Sequence, residues 1–196
     1  MRHDAAAAAA ITIGFDDLPL DPVNTPVPRG YTGFNWRNLG VQTPTPTTGG
    51  SGYETGVTSG DQAAYAFGGA PVTMALPRGR FTLESVALTA AWNTSQQVDI
   101  YGYHRGVEKY HVTVTIGDRA PSVLDLDFVD VHRVVFVASN GVDDPALEGQ
   151  GDHIVFDDLV VSDLHQRPAP AAFGADRDVA LHAAVPADSM GLLALV

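Results

Sequence analysis

The chain contains no cysteine, which excludes disulfide bonds, thiolate metal sites and cysteine nucleophiles. It is also poor in cations, because 11 lysine and arginine residues stand against 23 acidic residues and give a net charge of −12. A nucleic-acid interface needs a basic surface, so this balance excludes nucleic acid as a partner and disfavours an anionic membrane surface. No apolar run approaches the ~20 residues that span a bilayer, so no transmembrane segment is predicted.

Glutamate is scarce too, since only four of the acids are glutamates and nineteen are aspartates. Aspartate is favoured in turns, whereas glutamate and lysine favour solvated helices, so the composition predicts strands and loops. A hydrophobic content of 45% supports a real core and excludes wholesale disorder. A length of 196 residues suits one domain with a tail.

Short apolar runs separated by Gly, Pro, Asn and Asp fill residues 11–163. Alternation is clear in one of them, where Val112, Val114 and Ile116 share a face opposite to His111 and Thr113. No segment has a sustained helical stripe with a cap. The pattern predicts an all-β fold, an antiparallel two-sheet β-sandwich of jelly-roll type. Its predicted strands are residues 11–15, 34–41, 63–67, 72–75, 81–92, 97–104, 109–116, 122–127, 133–138 and 153–161.

Composition divides the chain into three parts. Residues 1–10 are predicted to be a flexible N-terminal arm, because their alanine run is short and lacks leucine for a secretory signal, which is the alternative. Residues 11–163 form the predicted sandwich, with a long Thr/Pro/Gly/Ser loop at 42–60. Residues 164–196 begin with a Pro/Ala-rich stretch and are predicted to be a linker and tail.

Two segments near the ends of the predicted sandwich echo each other: Ile-Gly-Phe-Asp-Asp-Leu at 13–18 and Ile-Val-Phe-Asp-Asp-Leu-Val-Val at 154–161. With the central segments 30–38, 51–60, 81–93 and 98–103, they resemble galactose-binding-like jelly rolls and carbohydrate-binding modules. They also resemble a poorly characterised group of β-sandwich proteins among PEP-CTERM-type exported bacterial proteins and in fungi. The resemblance implies a secreted or cell-surface protein, although the lack of a clear signal peptide leaves the cytoplasm open.

The resemblance also implies a structural Ca²⁺ where the first and last strands meet, because modules of this type bind calcium at that edge. Neighbouring residues of a strand point to opposite faces, so one aspartate of each pair is expected to reach the ion. Asp17 and Asp158 are the first choice, and Asp16 and Asp157 the second. The alternative is that these aspartates cap turns or solvate the sheet edges. No organic cofactor is predicted.

Aromatic and polar side chains in the middle of the chain are the candidate ligand contacts. Sugars bind aromatic side chains together with hydrogen-bonding neighbours, and a concave sheet face supplies such a surface. The leading hypothesis is therefore a non-catalytic module for carbohydrate or another small polar ligand. Its candidate residues are Trp36, Tyr53, Trp92, Asn93, Tyr101, Tyr103, Arg105 and His111. For the two tryptophans, the alternative is a place in the core or a role in closing a loop.

Two other functions stay open at this point. A small cofactor-independent enzyme, an isomerase, cyclase or hydrolase, would use a pocket built from His104 or His111 with Asp99, Tyr101 and Tyr103. A surface or matrix protein would assemble through its edges and tail. A second acidic segment, residues 140–152, is predicted to be an ordinary solvated loop because glycine and aspartate are the usual turn residues.

Overall fold

The computed structural model describes residues 9–19 and 25–166, and these form twelve strands and one short helix. The helix, α1, is Gly52–Thr55, and single 3-10 turns lie at Tyr31–Gly33, Pro46–Thr48 and Phe67–Gly69. The strands are β1 Ile11–Ile13, β2 Thr25–Pro26, β3 Asn35–Arg37, β4 Leu39–Gln42, β5 Ala63–Ala66, β6 Val72–Ala75, β7 Gly79–Ala90, β8 Asn93–His104, β9 Val107–Ile116, β10 Ser122–Val131, β11 Arg133–Asp143 and β12 Ile154–Gln166.

The strands form two sheets in which every pairing is antiparallel. One sheet has the order β10-β7-β12-β5-β4-β2, with β1 also paired to β12, and the other has the order β3-β6-β11-β8-β9. The predicted fold class, an all-β jelly-roll sandwich, is confirmed. The first and last strands are neighbours, with Ile13 opposite Leu159.

The core lies between the sheets and is built from the inward half of each alternating strand. Phe136 on β11 and Phe156 on β12 meet edge to face across it, with ring centroids 5.1 Å apart. Phe34 and Phe81 make a similar contact at 4.9 Å. These four phenylalanines are almost completely buried, so the two sheets are held together mainly by apolar packing.

The single strand predicted over 34–41 is in fact two strands in different sheets. Asn38 stands between β3 and β4 with a φ of 56°, a left-handed conformation that asparagine tolerates better than most residues. Its side-chain amide donates to the carbonyl of Pro71 at 2.8 Å, which fixes the corner. The chain therefore crosses from one sheet to the other within one residue.

Three strands extend four or five residues beyond their predicted C-terminal ends. β10 continues past residue 127 to Val131, because Asp127 and Asp130 adopt left-handed φ values of 49° and 60° at bulges where alternation breaks. β11 reaches Asp143, and β12 reaches Gln166.

The arm predicted at 1–10 lies largely outside the described residues, as does most of the predicted tail. No helix of the described ranges is long and apolar enough to cross a membrane.

Candidate functional site

The five-stranded sheet has one face on the core and one on solvent, and the second is called the outer face here. On β8, Val98, Ile100 and Gly102 are buried, so Asp99, Tyr101 and Tyr103 point outward. Antiparallel register places Tyr101 opposite His111 of β9 and Asp99 opposite Thr113. The sequence pattern therefore brings four of the five proposed catalytic residues, Asp99, Tyr101, Tyr103 and His111, to one surface.

Asp99 is the centre of a small hydrogen-bonded group on this face. His111 Nε2 lies 3.0 Å from Asp99 Oδ1, and the hydroxyl of Thr113 donates to the same oxygen. The hydrogen bond from Thr113, with that from His111, holds the pKa of Asp99 below its usual value. The carboxylate is thus ionised at neutral pH and holds the imidazole in place.

Stacking orders the rings beside it. The rings of Tyr101 and His111 are stacked at 4.3 Å between centroids and 16° between planes. The guanidinium of Arg133 on β11 lies 4.1 Å from the ring centroid of Tyr103. One ring face of each tyrosine is therefore in contact with another side chain, which leaves ring edges and hydroxyl groups for a ligand.

Two phenol groups of this face are free to bond a ligand. The hydroxyls of Tyr101 and Tyr103 make no hydrogen bond within the described part of the chain, and both tyrosines are only half-buried. Arg133 was not among the predicted site residues. The alternation of Arg133 with buried Val134 was the available signal, but its contact with Tyr103 depends on the pairing of β8 with β11.

His104 and Arg105 do not join this group. His104 Nδ1 contacts the backbone carbonyl of Asp130 at 2.8 Å and the carboxylate of the same residue at 3.4 Å, on the side facing β10. Arg105 occupies the exposed β8–β9 turn with a φ of 50°. The prediction of His104 as an alternative to His111 is wrong for this surface, because neighbouring residues of a strand point to opposite faces and Tyr103 takes the outward one.

Three other predicted ligand contacts are buried. Trp36 is 6% exposed, and its indole N–H donates to the carbonyl of Tyr31 at 3.2 Å. Tyr53 is 5% exposed beneath Trp92, and Asn93 is fully buried, with its amide donating to a side chain of its own strand at 2.7 Å. These residues are structural, because a ligand on the outer face has no access to them.

Trp92 is half-buried and packs on Tyr53 with ring centroids 5.1 Å apart. Its indole also lies against Gly149, where a Cβ atom would come within 2.3 Å of the ring. The alternative reading, a tryptophan that closes a loop, fits these contacts.

The aspartates of the predicted calcium edge receive hydrogen bonds from the protein itself. Asp157 is fully buried, and its carboxylate accepts from the backbone N–H groups of Thr58, Ser59 and Asp158 at 2.7–3.1 Å. Burial raises the pKa of Asp157, and the donors of Thr58 and Ser59 act in the opposite direction. Asp158 also accepts hydroxyl groups from Thr58 and Ser59, each at 2.8 Å.

The N-terminal pair of this edge, Asp16 and Asp17, also accepts hydrogen bonds from the protein. Asp16 Oδ1 accepts the backbone N–H groups of Asp61 and Gln62, and Asp17 accepts the hydroxyl of Tyr31 at 2.6 Å. Within the described ranges, no three His, Asp or Glu side chains are grouped so that they can hold a metal ion. Because N–H and O–H donors already face these oxygens, the four aspartates do not fit a Ca²⁺ ion in this arrangement.

A separate acidic pair is buried where the β9–β10 turn meets the segment 140–152. Asp118 is fully buried and Asp144 is 3% exposed, and Arg119 bonds to Asp144. Burial, with the carboxylate of Asp144 nearby, raises the pKa of Asp118, whereas the backbone N–H of Ala146 lowers that of Asp144. The prediction that 140–152 is wholly solvated is wrong at Asp144, because this carboxylate anchors the segment.

No protein-family model matches the sequence, and no curated protein matches it. Among solved structures, a DUF4465 family protein from Bacteroides ovatus is similar at 9% identity and a TM-score of 0.48, over 80% of this chain and 99% of that one. The family 32 carbohydrate-binding module of C. perfringens NanJ, in complex with galactose, is similar at 12% identity and a TM-score of 0.39, over 71% and 99%.

A mutant of CBM29-2, a family 29 carbohydrate-binding module, is similar at 18% identity and a TM-score of 0.39, over 79% of this chain and 92% of that one. The fold class of the present chain rests on its own two sheets, and its ligand is argued below from its own residues. The narrower likeness to PEP-CTERM-type and fungal proteins stays a prediction.

Proposed function

We propose that this chain is a non-catalytic β-sandwich module that binds carbohydrate or another small polar ligand on the outer face. The observation that carries the proposal is the ordered row of Tyr103, Tyr101 and His111, in which both phenol hydroxyls lack a partner within the described residues. Ordered aromatic edges with free hydroxyls are suited to sugars, whose C–H groups contact rings and whose hydroxyls need donors and acceptors.

Rigidity favours binding by this row. His111 is fixed by Asp99 and by its stack on Tyr101, and Tyr103 is fixed by Arg133. Side chains that are already ordered lose little conformational entropy when a ligand arrives, so more of the contact energy remains as affinity.

A glycan array followed by titration calorimetry tests the proposal. We expect Tyr101→Ala and Tyr103→Ala each to weaken binding about tenfold or more, because each removes a ring and a hydroxyl. Val123→Ala is the matched control, since Val123 is 71% exposed on β10 in the other sheet. Absence of binding to any glycan contradicts carbohydrate as the ligand, and equal binding by the tyrosine variants contradicts the outer face as the site.

A small enzyme is the second candidate, and the His111–Asp99 contact at 3.0 Å is the observation that favours it. An imidazole oriented by a carboxylate can act as a general base beside the Tyr101 phenol. The pair is open to solvent, with 41% of the His111 side chain and 21% of the Asp99 side chain exposed, whereas water-excluded sites make such chemistry efficient. Turnover of a bound glycan that is lost in His111→Gln would favour the enzyme over the module.

A further inference from the structure

The outer face has a strip of short side chains along β6. Thr73 and Ala75 are the outward residues of this strand, because Val72 and Met74 are buried. β6 lies between β3 and β11, so Arg37 and Thr73 are opposite each other, and Val135 flanks Thr73 on the other side. Arg37 and Arg133 therefore lie on either side of a strip formed by Thr73, Ala75 and Val135. This strip is called the β6 trough here.

The two borders of the β6 trough each carry a guanidinium group. Arg37 is exposed on β3 and makes no ion pair within the described residues. Arg133 is opposite Ala75, and its stack on Tyr103 orders the guanidinium. The Arg133 Nε atom is buried and has no hydrogen-bond partner in the described part of the chain. The backbones of β3 and β11 are two strand spacings apart, about 10 Å, so a sugar ring over β6 has the strand of Arg37 on one side and the strand of Arg133 on the other.

No acidic side chain neutralises these cations on the same strands. β3 and β6 contain no acid, and the first acid of β11 is Asp143 at its far end. The carboxylate of Asp99 is already bonded to His111 and Thr113. Within the described residues, neither of these two guanidinium groups forms an ion pair, although the protein has a net charge of −12.

We infer that the ligand of the outer face is an anionic sugar whose carboxylate is bound between Arg37 and Arg133, an inference that rests on the proposed function. The planar fork of arginine matches a carboxylate, and charge-assisted hydrogen bonds are about twice as strong as neutral ones. The sugar ring lies over Thr73 and Ala75, and its hydroxyls reach Tyr101 and Tyr103.

Short uronate oligosaccharides, each compared with its own methyl ester, test the inference by calorimetry. Oligogalacturonate and oligoalginate are the probes, and esterification removes the charge while keeping the backbone. Short oligomers are preferable to polymers because the acidic protein repels a long polyanion. We expect the acid form of at least one probe to bind about tenfold or more tightly than its ester.

Substitutions of the two arginines test whether they cause the preference for the acid form. Arg37→Gln and Arg133→Gln are each expected to lose most of the preference for the acid, and the double variant all of it. Arg29→Gln is the matched control, because Arg29 is exposed in the turn before Tyr31, off the β6 trough. Preservation of Tyr101-dependent binding of the ester in Arg37→Gln shows that the outer face of this variant is intact.

Three results overturn the inference. If acid and ester bind equally, the charge preference fails while the proposed function stands. If the acid is preferred but the arginine variants keep the preference, the anion binds elsewhere. If neither these probes nor any glycan of the array binds, the proposed function and the inference fail together.

Discussion

Tyr53 Oη and His153 Nδ1 lie 2.7 Å apart beneath Trp92. Burial lowers the pKa of His153, which favours the neutral imidazole in the folded protein, and its Nδ1 atom shares a hydrogen bond with the Tyr53 hydroxyl. Tyr53 and Trp92 are predicted from the sequence to contact a ligand. In the structure they instead belong to a small second hydrophobic cluster, which the Tyr53–His153 hydrogen bond closes.

Removal of that contact is the first stability prediction. Tyr53→Phe leaves the Nδ1 atom of His153 without its hydrogen-bond partner, so the free energy of unfolding at pH 7 is expected to fall by about 1 kcal/mol. Chemical denaturation of this variant and the parent measures the loss. An unchanged free energy would mean that water replaces the hydroxyl.

The same histidine gives a pH dependence. Its folded-state pKa lies below the ordinary 6.5, so the unfolded chain takes up a proton first, and stability is lost as the pH falls from about 6.5 through the folded pKa. Denaturation curves between pH 5 and 8 are expected to show this slope, and His153→Gln to reduce it. His165→Gln, at an exposed residue at the end of β12, is the control that keeps the slope.

Asp157 is predicted to be the most sensitive of the four paired aspartates. Asp157→Asn puts an amide NH₂ group among N–H donors and removes the charge that they stabilise, so we expect a loss of about 3 kcal/mol. Asp158→Asn is the comparison, because Asp158 is only half-buried and accepts flexible hydroxyls. Equal losses in thermal denaturation would contradict the ranking.

Calcium stays a prediction of the resemblance, and the hydrogen bonds at these aspartates argue for the opposite result. We expect excess EDTA, after saturation with calcium, to leave the melting temperature unchanged, because protein donors occupy the carboxylates. A melting temperature that falls in EDTA and recovers with calcium would show that calcium stabilises the folded protein and would contradict this expectation.

Local pattern predicted which residues share the outer face better than it predicted the contacts of single residues. Alternation alone places Tyr101, Tyr103 and His111 on a solvent face, because inward and outward residues of a strand differ in hydrophobicity. It does not reveal which strand lies beside β8, so the Arg133–Tyr103 contact could not be predicted from the sequence. Burial of Trp36 and Asn93 likewise depends on the opposite sheet, which no local segment encodes.

The corner at Asn38 and the bulges of β10 show a second limit. Each depends on a residue in the left-handed region, and asparagine and aspartate tolerate that region without requiring it. The sequence therefore predicts a turn-prone residue at each position, but not whether the chain bends, changes sheet or continues.

The buried pair of Asp118 and Asp144 leads to the last prediction. Burial raises the folded-state pKa of Asp118 above its ordinary 3.8, so its contribution to stability is present below that pH and is lost as the pH rises through the folded pKa. Asp118→Asn removes the charge that is costly to bury, and its amide can donate to Asp144. We expect this variant to melt a few degrees higher at pH 7.

Asp144→Asn provides the contrast, because Asp144 accepts from Ala146 and Arg119 and its pKa is lowered. That variant is expected to melt lower at pH 7, since the donors lose a charged acceptor. Thermal melts of both variants at pH 4 and pH 7 separate the two roles. If Asp118→Asn also melts lower at pH 7, the ion pair of Asp118 with Arg119, at 3.5 Å, stabilises the turn more than burial of the carboxylate costs.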